Sequence, residues 1–118
     1  MPKRVDLYSS YSRFTDGVLA AIRRETFGFD IGQNSWITVD EYERFLLWLN
    51  LAAGQHILEV ASGSGGPALY VARTTGCRVT GIDSNESAVA TASKMVAEAG
   101  EAEQVRFRVA DAGATLPF

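Results

Sequence analysis

Residues 56–83 read HILEVASGSGGPALYVARTTGCRVTGID, and the succession of residue types in that stretch sets the architecture of the chain. Positions 56–61 form an apolar run of strand length that passes directly into Ser62-Gly63-Ser64-Gly65-Gly66. Helix formers follow over 67–75, with Pro67 suited to a first helical turn and Gly76 to a helix stop. A second apolar run, 77–82, then ends on Asp83. Downstream, Ser84 or Asn85 can cap a helix over 86–99 whose Val89, Ala92, Met95 and Val96 share one face, and Gly100 ends it. Residues 105–110 alternate in period two, which is a third strand with Arg106 and Arg108 turned to solvent. Strands joined by helices of this length need right-handed parallel crossovers. The expected fold is therefore α/β, a Rossmann-like parallel sheet in the order 3-2-1.

The preceding half has a different rhythm. Leu7, Tyr8, Tyr11, Phe14, Val18, Leu19 and Ile22 recur at spacings of three and four, which predicts one or two helices, with Gly17 as the break. FGFDIGQNSW, residues 27–36, interleaves turn formers with large apolar side chains and reads as an ordered loop. Thr38-Val39-Asp40-Glu41 is a capping box, and Val39, Tyr42, Phe45, Leu46 and Leu49 are expected to give the helix behind it its buried face. The composition shifts at 52–55, so an N-terminal helical cap is expected over 1–54 and the sheet-forming part over 55–118.

Composition narrows the function classes. The chain has 118 residues, 47% of them hydrophobic, and a net charge of −3, which suits one globular domain and disfavours both a disordered tail and a nucleic-acid binder. Cys77 is the single cysteine and His56 the single histidine, so neither an intramolecular disulfide nor a zinc cluster can be built. Cys77 opens a strand with no base nearby, which makes it structural, and His56 begins its own strand. The N-terminus MPKRVDLYSSY lacks an apolar run behind its basic pair, and no stretch approaches membrane-spanning length. A cytoplasmic protein without membrane, nucleic-acid or metal partners is the expectation.

A strand that enters a glycine turn and then a helix brings backbone amides close to a ligand with no Cβ in the way. Asp83 lies 20 residues beyond Gly63, where a carboxylate can accept both hydroxyls of an adenosine ribose; capping the next helix is its other role. Two adenosine cofactors then compete. Residues 63–68, GSGGPA, are a tolerable dinucleotide fingerprint for an NAD-dependent oxidoreductase. Glu59 opposes that reading, because a carboxylate just before the turn would repel a pyrophosphate in a partly desolvated crevice. It suits a cationic cofactor. Its structural alternative is to accept amides of its own glycine loop.

EVASGSGG at 59–66, GIDSN at 81–85 and VADAGATLPF at 109–118 together resemble the three ordered signature segments of class I S-adenosylmethionine-dependent methyltransferases of the small-molecule type. The resemblance covers residues 55–118 and implies S-adenosylmethionine as cofactor. It implies that Glu59, Ala61, Ser62, Gly63, Ser64 and Gly65 wrap the methionine part, that Asp83 with Ser84 holds the ribose, and that Asp111 with Ala112 meets adenine. The family's first glycine is Ala61 here, which narrows the turn. The N-terminal half is similar to the helical cap of such enzymes, so Tyr8, Tyr11 and the 30–36 loop with Trp36 would close over the cofactor or simply pack. The implied reaction is methyl transfer to a small-molecule acceptor. No nucleophile and base pair is evident, and the family takes its acceptor pocket and any base largely from the fourth strand onward. A cofactor-binding N-terminal part, inactive alone and self-associating into a homo-oligomer through the bare edge of the first strand, is therefore expected. The alternatives are the oxidoreductase and a non-catalytic association module on a degenerate cofactor fold.

Overall fold

The computed structural model describes residues 17–32 and 37–118. Tyr8, Tyr11, Trp36 and the predicted helical face over residues 7–14 lie outside them. The chain runs α1 (Gly17–Phe27), α2 (Val39–Leu49), β1 (His56–Val60), α3 (Gly66–Thr75), β2 (Arg78–Asp83), α4 (Glu86–Glu98) and β3 (Val105–Val109). The three strands form one parallel sheet in the order β1-β2-β3, the expected order read from the other edge. Ile57 pairs with Val79, and Val79 with Val105, so the strand ends after Val60, Asp83 and Val109 emerge side by side.

Period-two alternation turns Val79 and Val105, with the half-buried Ile57 and Phe107, toward a core that they share with Ala68, Leu69, Val71 and Ala72 of α3 and Val96 of α4. Each large aliphatic side chain so enclosed stabilises the fold by about 1.5–3 kcal/mol. His56, Leu58, Arg106 and Arg108 are exposed. His56 Nε2 and Thr80 Oγ1 lie 2.7 Å apart and share a hydrogen bond. Cys77 is fully buried, its thiol donating to the Ala52 carbonyl at 3.1 Å, in keeping with a structural role.

The helix ends follow their local chemistry. Thr38 and Glu41 form the predicted reciprocal capping box on α2, and Asn50 closes that helix in a left-handed conformation. Asn85, the second of the two predicted candidates, caps α4 by accepting the Ala88 amide at 2.9 Å. Burial departs from the expected pattern in the first half. Of the apolar face of α2, Val39 and Leu46 are buried and Tyr42 partly so, while Phe45 and Leu49 are exposed. On α1, Val18 and Ile22 are 65% and 52% exposed. Spacing shows which side of a helix is apolar, and the tertiary arrangement determines how much of that side is covered.

Candidate functional site

The ends of the three strands define the site. β1 stops at Val60, and Ala61 takes a left-handed conformation with φ +58° that throws the chain across the top of the sheet. A side chain there is strained, which is the structural consequence of alanine standing where a glycine was expected. The Ser62 amide then donates to the Ile82 carbonyl at 3.0 Å, and the Gly65 amide returns to the Ser62 carbonyl at 3.2 Å, closing the turn. Gly65, also left-handed, leads into α3 with no side-chain cap.

Asp83 is the link between the turn and the second strand. One carboxylate oxygen accepts the Gly63 amide at 2.9 Å, and the other accepts the Asn85 amide at 2.8 Å. The carboxylate therefore braces the glycine turn and starts the loop into α4, while Asn85 supplies the actual cap. Two accepted bonds leave lone pairs on both oxygens for further donors. The Asp83 carbonyl receives the Ala110 amide at 3.0 Å, which brings the third strand end alongside. Asp111 follows and is exposed, its carboxylate accepting the Gly113 amide at 2.8 Å; Ser84 and Ala112 are exposed beside these turns.

Glu59 contributes the charge. With Ala61, Ser62, Gly63 and Ser64 it lines a cleft of about 240 Å³ that Tyr42 helps to close. Its carboxyl meets no hydrogen-bond donor among the described residues, so it does not accept amides of its own loop there. Burial pushes it up to about 7, and burial together with the Glu59 charge pushes the Tyr42 phenol up. The Ser62 hydroxyl is buried without a partner among the described residues, and a Cβ on Gly81 would come within 2.7 Å of it. Chemically, the cleft offers an acidic wall and a turn of small residues, and the Asp83 carboxylate that braces the turn stands outside its lining at the next strand end.

The structure thus brings Glu59, Ala61, Ser62, Gly63, Ser64 and Asp83 together at one end of the sheet, with Gly65 leading away into α3. Asp111 and Ala112 stand at the same end on the outer flank. Gly32, Ile37, Tyr42 and Pro67 complete the cleft wall; Gly32 belongs to the 30–36 loop expected to close over the cofactor or pack, and the other three were missed as site residues. The one available signal was the phenol of Tyr42, a polar tip on an otherwise apolar stripe. A larger cleft of about 680 Å³, lined by residues such as His56, Leu58, Thr80 and Arg108, contains none of the predicted site residues. Among the described residues no cluster of three or more His, Cys, Asp or Glu side chains could hold a metal ion, and no helix is long and apolar enough to cross a membrane.

Comparison with known proteins gives a consistent picture. Residues 57–118 match the model of a family described as a methyltransferase domain. The O-methyltransferase resE of Aspergillus sclerotiorum is 40% identical over 70 residues, which are 59% of this chain and 26% of that protein. A sterol 24-C-methyltransferase of Eremothecium gossypii is 30% identical over 80 residues, 67% of this chain and 21% of its own. Among solved structures, a SAM-dependent methyltransferase from Geobacter sulfurreducens in complex with S-adenosyl-L-homocysteine superposes with a TM-score of 0.59 at 33% identity, covering 69% of this chain and 33% of that one. The chain spans about a fifth to a quarter of the length of these two curated relatives.

Proposed function

The chain belongs to the methyltransferase-domain family, and we propose that it forms the S-adenosylmethionine-binding part of an enzyme that methylates a small molecule. One observation carries the cofactor assignment: the Asp83 carboxylate is tied to the Gly63 amide at 2.9 Å while Glu59, without a donor among the described residues, faces the same turn. A largely enclosed carboxyl with no cation beside it among the described residues suits a ligand that brings its own positive charge. Lone pairs left on the braced Asp83 suit a vicinal diol. A dinucleotide would instead lay its pyrophosphate against Glu59, with like charges in a poorly solvated cleft.

In this reading Glu59 and residues 61–65 hold the methionine part, Asp83 with Ser84 holds the ribose, and Asp111 with Ala112 borders the adenine. Residues 1–54 act as a cap over a cofactor-binding unit of residues 55–118, an assignment supported by Gly32, Ile37 and Tyr42 in the cleft wall. When bound, the sulfonium cofactor supplies an already activated methyl group. The work of these residues is to bind and orient it rather than to generate a nucleophile. The small-molecule class is supported by the relatives, an O-methyltransferase and a sterol methyltransferase.

Calorimetric titration of the chain separates the readings. Uptake of S-adenosylhomocysteine without uptake of NAD is expected. NAD uptake alone would favour the oxidoreductase, and uptake of neither would leave the association module.

A further inference from the structure

The segment between α1 and the glycine turn is held by an ion pair that the cofactor assignment does not use. Arg23, on the last full turns of α1, donates from Nε to Asp30 Oδ1 at 2.7 Å and from Nη2 to Oδ2 at 3.2 Å. The same Oδ1 accepts the Gly32 amide at 2.8 Å. Both side chains are well enclosed, 12% and 14% exposed. Burial acts to raise the Asp30 carboxyl, but the Arg23 and Gly32 hydrogen bonds and the charges of Arg23 and Arg24 outweigh it and hold it below its ordinary value. A charge-assisted, two-pronged pair of this kind is shielded from salt and fixes geometry as well as charge.

What the pair fixes lies against the glycine turn. The Ile31 carbonyl and the Gly32 backbone rest directly on Gly66, the first residue of α3: a Cβ there would overlap the Ile31 oxygen and lie 2.8 Å from Gly32 Cα. Gly32 then forms part of the wall of the cleft that contains Glu59 and residues 60–64. A continuous chain of contacts therefore runs from Arg23 through Asp30 and Gly32 to the candidate cofactor cleft.

We propose that the Arg23–Asp30 pair is a positioning device for the cofactor cleft, clamping the 28–32 turn so that Gly32 stands in its wall before ligand arrives. Neither Arg23 nor Asp30 lines the cleft. With the clamp intact, binding does not have to order the turn; with it broken, that ordering is charged against affinity. This rests on the assignment of the cleft to S-adenosylmethionine.

The test uses Asp30→Asn, which keeps shape and removes the charge, and Arg23→Gln. Each is expected to weaken S-adenosylhomocysteine binding about tenfold and to speed hydrogen exchange at the Gly32 amide in the free protein. The double variant should weaken binding by less than the two single effects combined, since both break the Arg23–Asp30 pair. Exchange at Gly32 separates a failed clamp from a failed cofactor assignment. Unchanged exchange in both variants overturns the clamp whatever the ligand does. Faster exchange with unchanged affinity in a wild type that binds S-adenosylhomocysteine overturns its role in binding. A wild type that takes up no S-adenosylhomocysteine overturns the cofactor assignment and the positioning role with it, while the exchange rates still decide whether the pair holds the turn.

Discussion

Glu59 sits in the cleft wall with a carboxyl that burial raises from the ordinary 4.5 to about 7. Because its folded value lies above its unfolded one, the folded state binds the proton more tightly between those limits. The Glu59 contribution to stability is therefore fully present below about pH 4.5 and is lost as pH rises through about 7, by up to about 3 kcal/mol. Replacing Glu59 with Gln should stabilise the free protein more at pH 8 than at pH 5, measured by urea denaturation at the two pH values. The same substitution should weaken a cationic ligand, because the ionised carboxylate is the form that a cation favours. Ala61 carries strain of another kind, since its left-handed backbone costs an L-residue roughly 1–2 kcal/mol and the methyl group is exposed. Ala61→Gly is expected to gain about 0.5–1 kcal/mol after the added chain entropy, and Ala61→Val to lose stability, both readable as shifts in the denaturation midpoint. That these residues gather at the strand ends was legible because glycine, aspartate and glutamate there carry their chemistry in their identity and spacing. The raised Glu59 carboxyl was not legible, because it depends on how deeply Tyr42 and the rest of the cleft wall enclose it. Nor was the Arg23–Asp30 pair, whose separation of seven residues meets only because of the turn between them.

The strand-turn-helix order was readable because each boundary has its own punctuation. Pro67 stands in the first turn of α3, Gly76 closes that helix, Asn85 caps α4, and Gly100 lies just beyond it. The helical half was less so. An apolar stripe on α2 correctly placed Val39 and Leu46 inside and wrongly enclosed Phe45 and Leu49, because no other described element packs over that part of the stripe. Asn85→Ala should cost about 1 kcal/mol through loss of the Ala88 bond, seen in thermal unfolding. Gly81 in the middle of β2 is a packing position: a Cβ would lie 2.6 Å from Phe107 Cδ1 and 2.7 Å from Ser62 Cβ. Gly81→Ala is expected to destabilise the sheet by about 1–3 kcal/mol, because those neighbours belong to the core and to the turn above it. A substitution there that left the denaturation midpoint unchanged would mean that β2 and β3 are less closely joined than the register indicates.

The sheet as a whole has β1 at one edge, with Leu58 and Val60 exposed and no strand beyond it among the described residues. An open edge next to exposed apolar side chains favours pairing with a second copy. Sedimentation of this chain should therefore shift toward dimer as concentration rises, and a monomer at every concentration would show the edge to be otherwise protected. The opposite property of the same architecture is the convergence of three strand ends, and amide shifts during a titration with S-adenosylhomocysteine test it most directly. The expected result is that Ser62, Gly63, Ser64, Asp83, Ser84, Asp111 and Ala112 move together and saturate with one dissociation constant. Shifts confined to the cleft around His56, Thr80 and Arg108, with the glycine turn unmoved, would contradict a single adenosyl-binding crevice at the strand ends.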